Sequence, residues 1–109
     1  MLKFKYKIKP DDIKEIIAPM GYCYASDMIT VEGHLVGFMH RESREDTDDS
    51  GWRFYSGLET DDYVEDEHNI MVFDVNYIAN LDPAIIPYLK MRTGTELERI
   101  EGTDKFMPI

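Results

Sequence analysis

Brief runs of strand-type residues, separated at irregular intervals by still shorter helical patterns, fill this sequence without settling into a strand–helix repeat. A doubly wound parallel sheet needs that repeat, whereas hairpin-sized strands joined by turns need antiparallel pairing. The order of patterns therefore predicts an α+β fold: a mainly antiparallel, twisted sheet with short helices. At 109 residues, 43% of them apolar, the chain is long enough for one core, and a single domain over 1–109 is expected. No apolar run nears the roughly 20 residues that span a bilayer, so a soluble domain without membrane contact is expected.

Leu2, Phe4, Tyr6 and Ile8 alternate with Lys3, Lys5, Lys7 and Lys9, the period of a strand with one wet face and lysines suited to an edge. Pro10, the acids Asp11 and Asp12, and apolar Ile13, Ile16 and Ile17 predict a short amphipathic helix that stops before Pro19 and Gly21. The β-prone stretch 22–31, the turn Glu32-Gly33-His34 and the run 35–39 predict a hairpin. Residues 41–51 lack large apolar side chains and predict an exposed, mobile loop. Trp52, Phe54 and Tyr55 mark a strand closing at Ser56-Gly57, Tyr63 and Val64 a local helix, and 70–75 a buried strand. Two short helical segments follow at 76–79 and 83–89, the second with Ile85, Ile86 and Leu89 facing inward. The chain closes with strands at 95–100 and 106–109 around the turn 101–104.

Formal net charge is −10, and Glu42 to Glu67 holds eleven acids against two bases, Arg44 and Arg53, a net −9 of that total. Such a field repels nucleic acid and anionic membranes and speeds encounter with a basic partner or a cation. It equally suits a well-solvated surface. Met1 to Lys9 alternates where a secretory signal would need a continuous apolar stretch, and Cys23 is the only cysteine, which excludes an internal disulfide. A reducing cytoplasm is the expected location.

Catalytic signatures are missing. Asp46-Thr47-Asp48-Asp49-Ser50-Gly51 opens like an EF-hand calcium loop, but Gly57 stands where the bidentate glutamate belongs and Arg53 where an apolar residue does. No metal and no cofactor is expected. Cys23 lacks a local histidine partner and reads as a small core side chain. Glu59 with Asp62 is an imaginable acid–base pair, yet spacing alone cannot show a shared cleft. Trp52 and Arg53 are the types most enriched at interface hot spots, although a lone tryptophan also reads as a core anchor with Arg53 on the opposite face, paired to an acid. Binding another protein, not catalysis, is the expected activity. A regulatory or adaptor domain and a small hydrolase using Glu59, Asp61 or Asp62 with a divalent cation are the alternatives.

An ordered series of pieces spans most of the chain. It runs from Ser26 with Met28-Ile29-Thr30, through Val36-Gly37-Phe38-Met39 with Arg41-Glu42, to Asp49-Ser50-Gly51-Trp52-Arg53-Phe54-Tyr55-Ser56-Gly57. Glu59 with Asp61-Asp62-Tyr63, Asn69-Ile70, Asn76 with Ile78-Ala79-Asn80, Asp82-Pro83 with Ile85-Ile86-Pro87, and Gly94 with Glu98-Arg99 complete it. In order and spacing this series resembles the bacterial immunity protein thirty-three-like family, formerly a domain of unknown function, over about residues 23–109. The resemblance implies a role in a polymorphic toxin system: binding and blocking a cognate protein toxin. On that reading Asp48, Asp49, Glu59, Asp61, Asp62, Glu65 and Asp66, with Trp52 and Arg53, are the expected partner-binding residues. Gly51 and Gly57 suit turns, and Asn69, Asn76, Asn80 and Asp82 suit caps. Exposed aromatics in a small sheet leave a homodimer open.

Overall fold

A computed structural model, which describes residues 6–109, places the strand Asp49–Tyr55 at the middle of a six-stranded sheet, buried along all but its last residue. In chain order the strands are β1 (Tyr22–Ser26), β2 (Phe38–Arg41), β3 (Asp49–Tyr55), β4 (Ile70–Asp74), β5 (Glu96–Arg99) and β6 (Phe106–Pro108). Their order across the sheet is β4-β1-β3-β2-β5-β6. Every neighbouring pair is antiparallel except β1 and β3, which run parallel. With the short helices α1 (Asp27–Thr30), α2 (Asp61–Glu65) and α3 (Val75–Leu81), the fold is α+β, as the order of patterns predicts.

Period-two alternation sends Cys23, Ala25, Met39, Trp52, Phe54 and Leu97 to one face, where they meet Val75, Ile78 and Ala79 of α3 and Ile85 and Leu89 from the 3-10 helix Pro83–Tyr88. Asp74 Oδ1 starts α3 by accepting from the Asn76 N–H (2.9 Å), and Asp82 Oδ1 starts the 3-10 helix by accepting from the Ala84 N–H (3.2 Å). The second oxygen of Asp82 accepts from the Val36 N–H (2.9 Å) and pairs with Arg99, tying this layer to the sheet.

The expected hairpin between β1 and β2 is absent. Ser26 Oγ accepts from the Met28 N–H (3.1 Å), which starts α1 and turns the chain out of the sheet. Ile29 and Thr30 then bury against the core instead of extending β1. The chain returns as β2 on the far side of β3. A local cap overrides the β propensity of Ile29, Thr30 and Val31.

The expected amphipathic helix after Pro10 is a single 3-10 turn, Pro10–Asp12. The Lys14 N–H donates to Asn80 Oδ1 (3.1 Å), and the Ile16 and Ile17 N–H groups donate to Asn76 Oδ1 (3.0 and 3.3 Å). The Lys14 carbonyl accepts from both asparagines. These side chains of α3 satisfy the backbone groups that a helix would have paired internally, so the segment lies as an extended strap. Of the expected first strand, residues 1–5 lie outside the described residues, and 6–8 are bends.

Two further expectations change. Among the described residues β4 is an edge strand, not a buried one: its only neighbour there is β1, and Met71 and Val72 are 38% and 54% exposed. The loop expected at 41–51 is shorter, since Asp49, Ser50 and Gly51 already belong to buried β3. Gly51 has φ +87°, and a Cβ there would lie 2.4 Å from the Glu42 carbonyl oxygen, which belongs to backbone. Gly51→Ala is therefore expected to lower stability by about 1–3 kcal/mol through strain alone. Urea unfolding measures it, and a loss below about 0.5 kcal/mol would contradict the assigned strain.

Candidate functional site

The face of the sheet opposite α3 and the 3-10 helix Pro83–Tyr88 carries a rung of side chains across five strands: Val72, Tyr24, Arg53, His40 and Glu96, each paired in register with the next. A second rung holds Tyr55, Phe38, Glu98 and Met107. Phe38, His40 and Tyr55 cluster, with ring centroids 5.3 Å apart for Phe38–His40 and 6.0 Å for His40–Tyr55. Burial lowers the pKa of His40, against the opposing pull of Glu42 and Glu96, so its neutral form is favoured at pH 7.

Arg53 lies at the centre. Its Nη1 and Nη2 donate to the two oxygens of Asp49 (3.0 and 2.9 Å), its Nε donates to Glu42 (3.2 Å), and its guanidinium sits 4.6 Å from the Tyr24 ring centroid. Asp49 also accepts from the Glu45 and Gly51 N–H groups (2.9 and 2.8 Å). The Arg53 guanidinium and these N–H donors outweigh burial and hold the Asp49 carboxyl well below the usual carboxylate range. Burial by itself would lower the pKa of Arg53, but Asp49 and Glu42 raise it and keep the side chain charged.

The acidic loop is tethered to this face. The Tyr24 hydroxyl donates to Glu45 and the Tyr22 hydroxyl to Asp46, both at 2.9 Å. Asp46 Oδ1 accepts from the N–H groups of Asp48 and Asp49 (2.9 and 3.1 Å). Asp46, Asp49 and Ser50 of the stretch that resembled a calcium loop thus accept from protein donors. Among the described residues no group of three or more His, Cys, Asp or Glu is arranged to hold a metal ion.

A concavity of about 370 Å³ opens on this face, lined by Tyr24, Glu42, Glu45, Arg53, Tyr55, Val64, Glu67 and Ile70. A shallower one of about 230 Å³ shares Tyr55 and Val64 and adds Phe38, Gly57 and Glu59. A larger groove of about 690 Å³ lies on the helical side, between the strap and α3, with Tyr6, Ile13, Ile17, Phe73 and Tyr77 in its mostly apolar wall.

The residues expected to bind a partner do not form one group. Asp49, Trp52 and Arg53 are 1%, 0% and 4% exposed, the places expected of a tryptophan core anchor and an arginine paired to an acid. Trp52 points to the core, where Nε1 donates to the Leu89 carbonyl (3.0 Å), and Asp49 and Arg53 satisfy one another. Glu59 accepts from the Ser56 N–H and hydroxyl and from the Gly57 N–H (2.8, 2.9 and 2.9 Å), closing a turn. Burial pulls its pKa up, but hydrogen bonds from Ser56 and Ser26 hold it down. Asp66 accepts from the His68 N–H (3.0 Å). Asp48, Asp61, Asp62, Glu65 and Asp66 are exposed, and none of them lines either concavity.

Sequence reasoning missed Tyr24, Glu42, Glu45, Glu67 and Ile70. The alternation of Tyr22 and Tyr24 against Cys23 and Ala25 held a signal for the first of these. Cys23 itself is a core side chain: it is fully buried, Sγ donates to the Phe73 carbonyl (3.4 Å), and burial pushes the thiol up, away from the reactive thiolate. No helix among the described residues is long and apolar enough to cross a membrane. Among families of known proteins, the model described as Immunity protein Imm33 domain matches residues 23–109. No curated protein and no solved structure matches the chain.

Proposed function

Because the chain belongs to the Imm33 immunity protein family, we propose that it binds and neutralises a cognate bacterial protein toxin, using the acidic side of its open sheet face. The match over residues 23–109 is the observation that carries this reading. The local chemistry supports it: exposed carboxylates surround an aromatic surface, while Cys23 is buried and Glu59 is occupied by turn donors. Binding, not catalysis, is the activity on this reading. The toxin's blocked surface is basic, and the complex forms in the cytoplasm of the producing cell.

The acids of α2, Asp61, Asp62 and Glu65, with neighbouring Asp66, extend the negative field without lining a concavity. They act at a distance, by steering. Changing all four to lysine is expected to slow association with the toxin by about tenfold or more at low salt and to flatten its salt dependence, with little effect on dissociation. Stopped-flow association at several ionic strengths measures this, and unchanged rates would remove the steering role. The reading itself is tested by toxin candidates captured from the source cell, purified and recombined with the chain. Stoichiometric binding together with protection of intoxicated cells is expected; failure of both would overturn it.

A further inference from the structure

The open sheet face has a built centre, and its chemistry selects what can occupy it. In the larger concavity, half-buried Tyr24, Tyr55 and Ile70 and exposed Val64 supply apolar wall, and Glu42, Glu45 and Glu67 are its exposed charges. Among the described residues Arg53 is the only base in the lining, and it is already paired with both oxygens of Asp49 and, through Nε, with Glu42. Among the described residues, Glu45 and Glu67 therefore stand over an apolar wall with no cation of the lining to match them, and Glu42 has only a share of Arg53. That combination fits a side chain with an apolar stem and a cationic head.

The same surface already holds one such head. Arg53 stacks over Tyr24 and is gripped by Asp49 and Glu42, which shows that guanidinium geometry is compatible with the rings and acids here. The acids are also positioned in advance: the Tyr24 hydroxyl holds Glu45 (2.9 Å), and Arg53 Nε holds Glu42 (3.2 Å). Less side-chain entropy is then lost on binding than at free surface acids. A carboxylate accepts several hydrogen bonds, so one bond to Tyr24 leaves Glu45 able to take another donor.

We propose that this concavity seats a single arginine or lysine side chain of the protein partner, as the anchor of a docking surface formed by the open sheet face. The proposal rests on the toxin-binding reading and divides its labour. The acids of α2 govern encounter, whereas Glu42, Glu45 and Glu67 govern how long the complex lasts.

The test uses the whole chain, isotopically labelled for amide NMR, titrated with the peptide acetyl-Gly-Arg-Gly-amide and with its citrulline counterpart, which keeps the shape and loses the charge. Shifts are expected at Tyr24, Glu42, Glu45, Tyr55 and Glu67. The citrulline peptide, or the double variant Glu45→Gln with Glu67→Gln, is expected to bind about tenfold more weakly. An otherwise unchanged amide spectrum of the variant will show that its fold is intact. Equal shifts with both peptides, shifts centred on residues 61–66, or no shifts at all would overturn the proposal. With the toxin in hand, the double variant is expected to raise the dissociation rate about tenfold and leave association nearly unchanged. The two readings fail separately. Protection without arginine-dependent shifts retires the concavity alone, and arginine-dependent shifts with neither toxin binding nor protection retire the toxin reading alone.

Discussion

Asp49→Ala is expected to destabilise the protein by about 3–5 kcal/mol, because breaking a buried ion pair leaves its partner charged in a place that water cannot reach. Arg53, 4% exposed, would keep only Glu42 as an acidic partner. The Glu45 and Gly51 N–H groups would lose the acceptor that fixes the end of the acidic loop. Loop and strand β3 should therefore loosen together. The pH dependence follows from the direction of the shift. The folded Asp49 carboxyl titrates below its unfolded counterpart, so its contribution is complete above the unfolded pKa of about 3.9 and drains away as pH falls further, towards the folded value. Urea unfolding of the wild type and of Asp49→Asn between pH 7 and pH 2 isolates this contribution. The wild type should lose the larger share of its stability below about pH 4. Parallel pH profiles, or an alanine variant within about 1 kcal/mol of wild type, would contradict the assigned ion pair.

Trp52→Ala is expected to cost about 3–5 kcal/mol, the usual loss for a large aromatic side chain removed from a closed core. Trp52 stacks on Phe54 with ring centroids 6.0 Å apart, carries the Arg41 guanidinium 5.6 Å from its own centroid, and donates Nε1 to the Leu89 carbonyl. Its deletion opens a cavity at the junction of sheet and 3-10 helix. Trp52→Phe keeps most of the packing and loses the hydrogen bond, so a smaller loss of about 1–3 kcal/mol is expected. As Trp52 is the only tryptophan, its fluorescence reports directly on the site. Emission should be blue-shifted and resist acrylamide quenching until the protein unfolds. An alanine variant of wild-type stability that no longer binds its partner would return Trp52 to the interface.

Asp49→Ala and Trp52→Ala separate roles that adjacent residues of β3 carry together. Trp52 and Arg53 are neighbours in the chain and point to opposite faces of β3. One anchors the core, and the other holds the floor of the concavity. Alternation along the strand made that division legible, including the pairing of Arg53 with an acid. The expected cap and turn residues were legible too, since Asp82 and Asn69 bond the backbone nearby and Gly51 adopts positive φ. Asn76 and Asn80 were less so. They bond the strap 59 to 66 residues earlier in the chain, and side-chain chemistry names a donor without naming the distant backbone it will meet.

Pattern along the chain was enough for the α+β class, most of the strand positions from β3 onward, the opposite faces of Trp52 and Arg53, and the acidic excess between Glu42 and Glu67. These are local properties: periodicity, caps, turn residues and charge are written in neighbouring positions. Tertiary packing settled what pattern left open: β3 inserts between β1 and β2, β4 lies at an edge among the described strands, and Glu42, Glu45 and Glu67 reach the concavity while Asp61, Asp62 and Glu65 do not. Strand edges present the same backbone donors and acceptors whatever their side chains, so a pattern states which face is buried and is silent about which strand lies alongside. The neighbour is chosen by the packing of the whole core. That choice brings Tyr24, Arg53 and Val64 together from separate parts of the chain, and with them the acids that surround the proposed site.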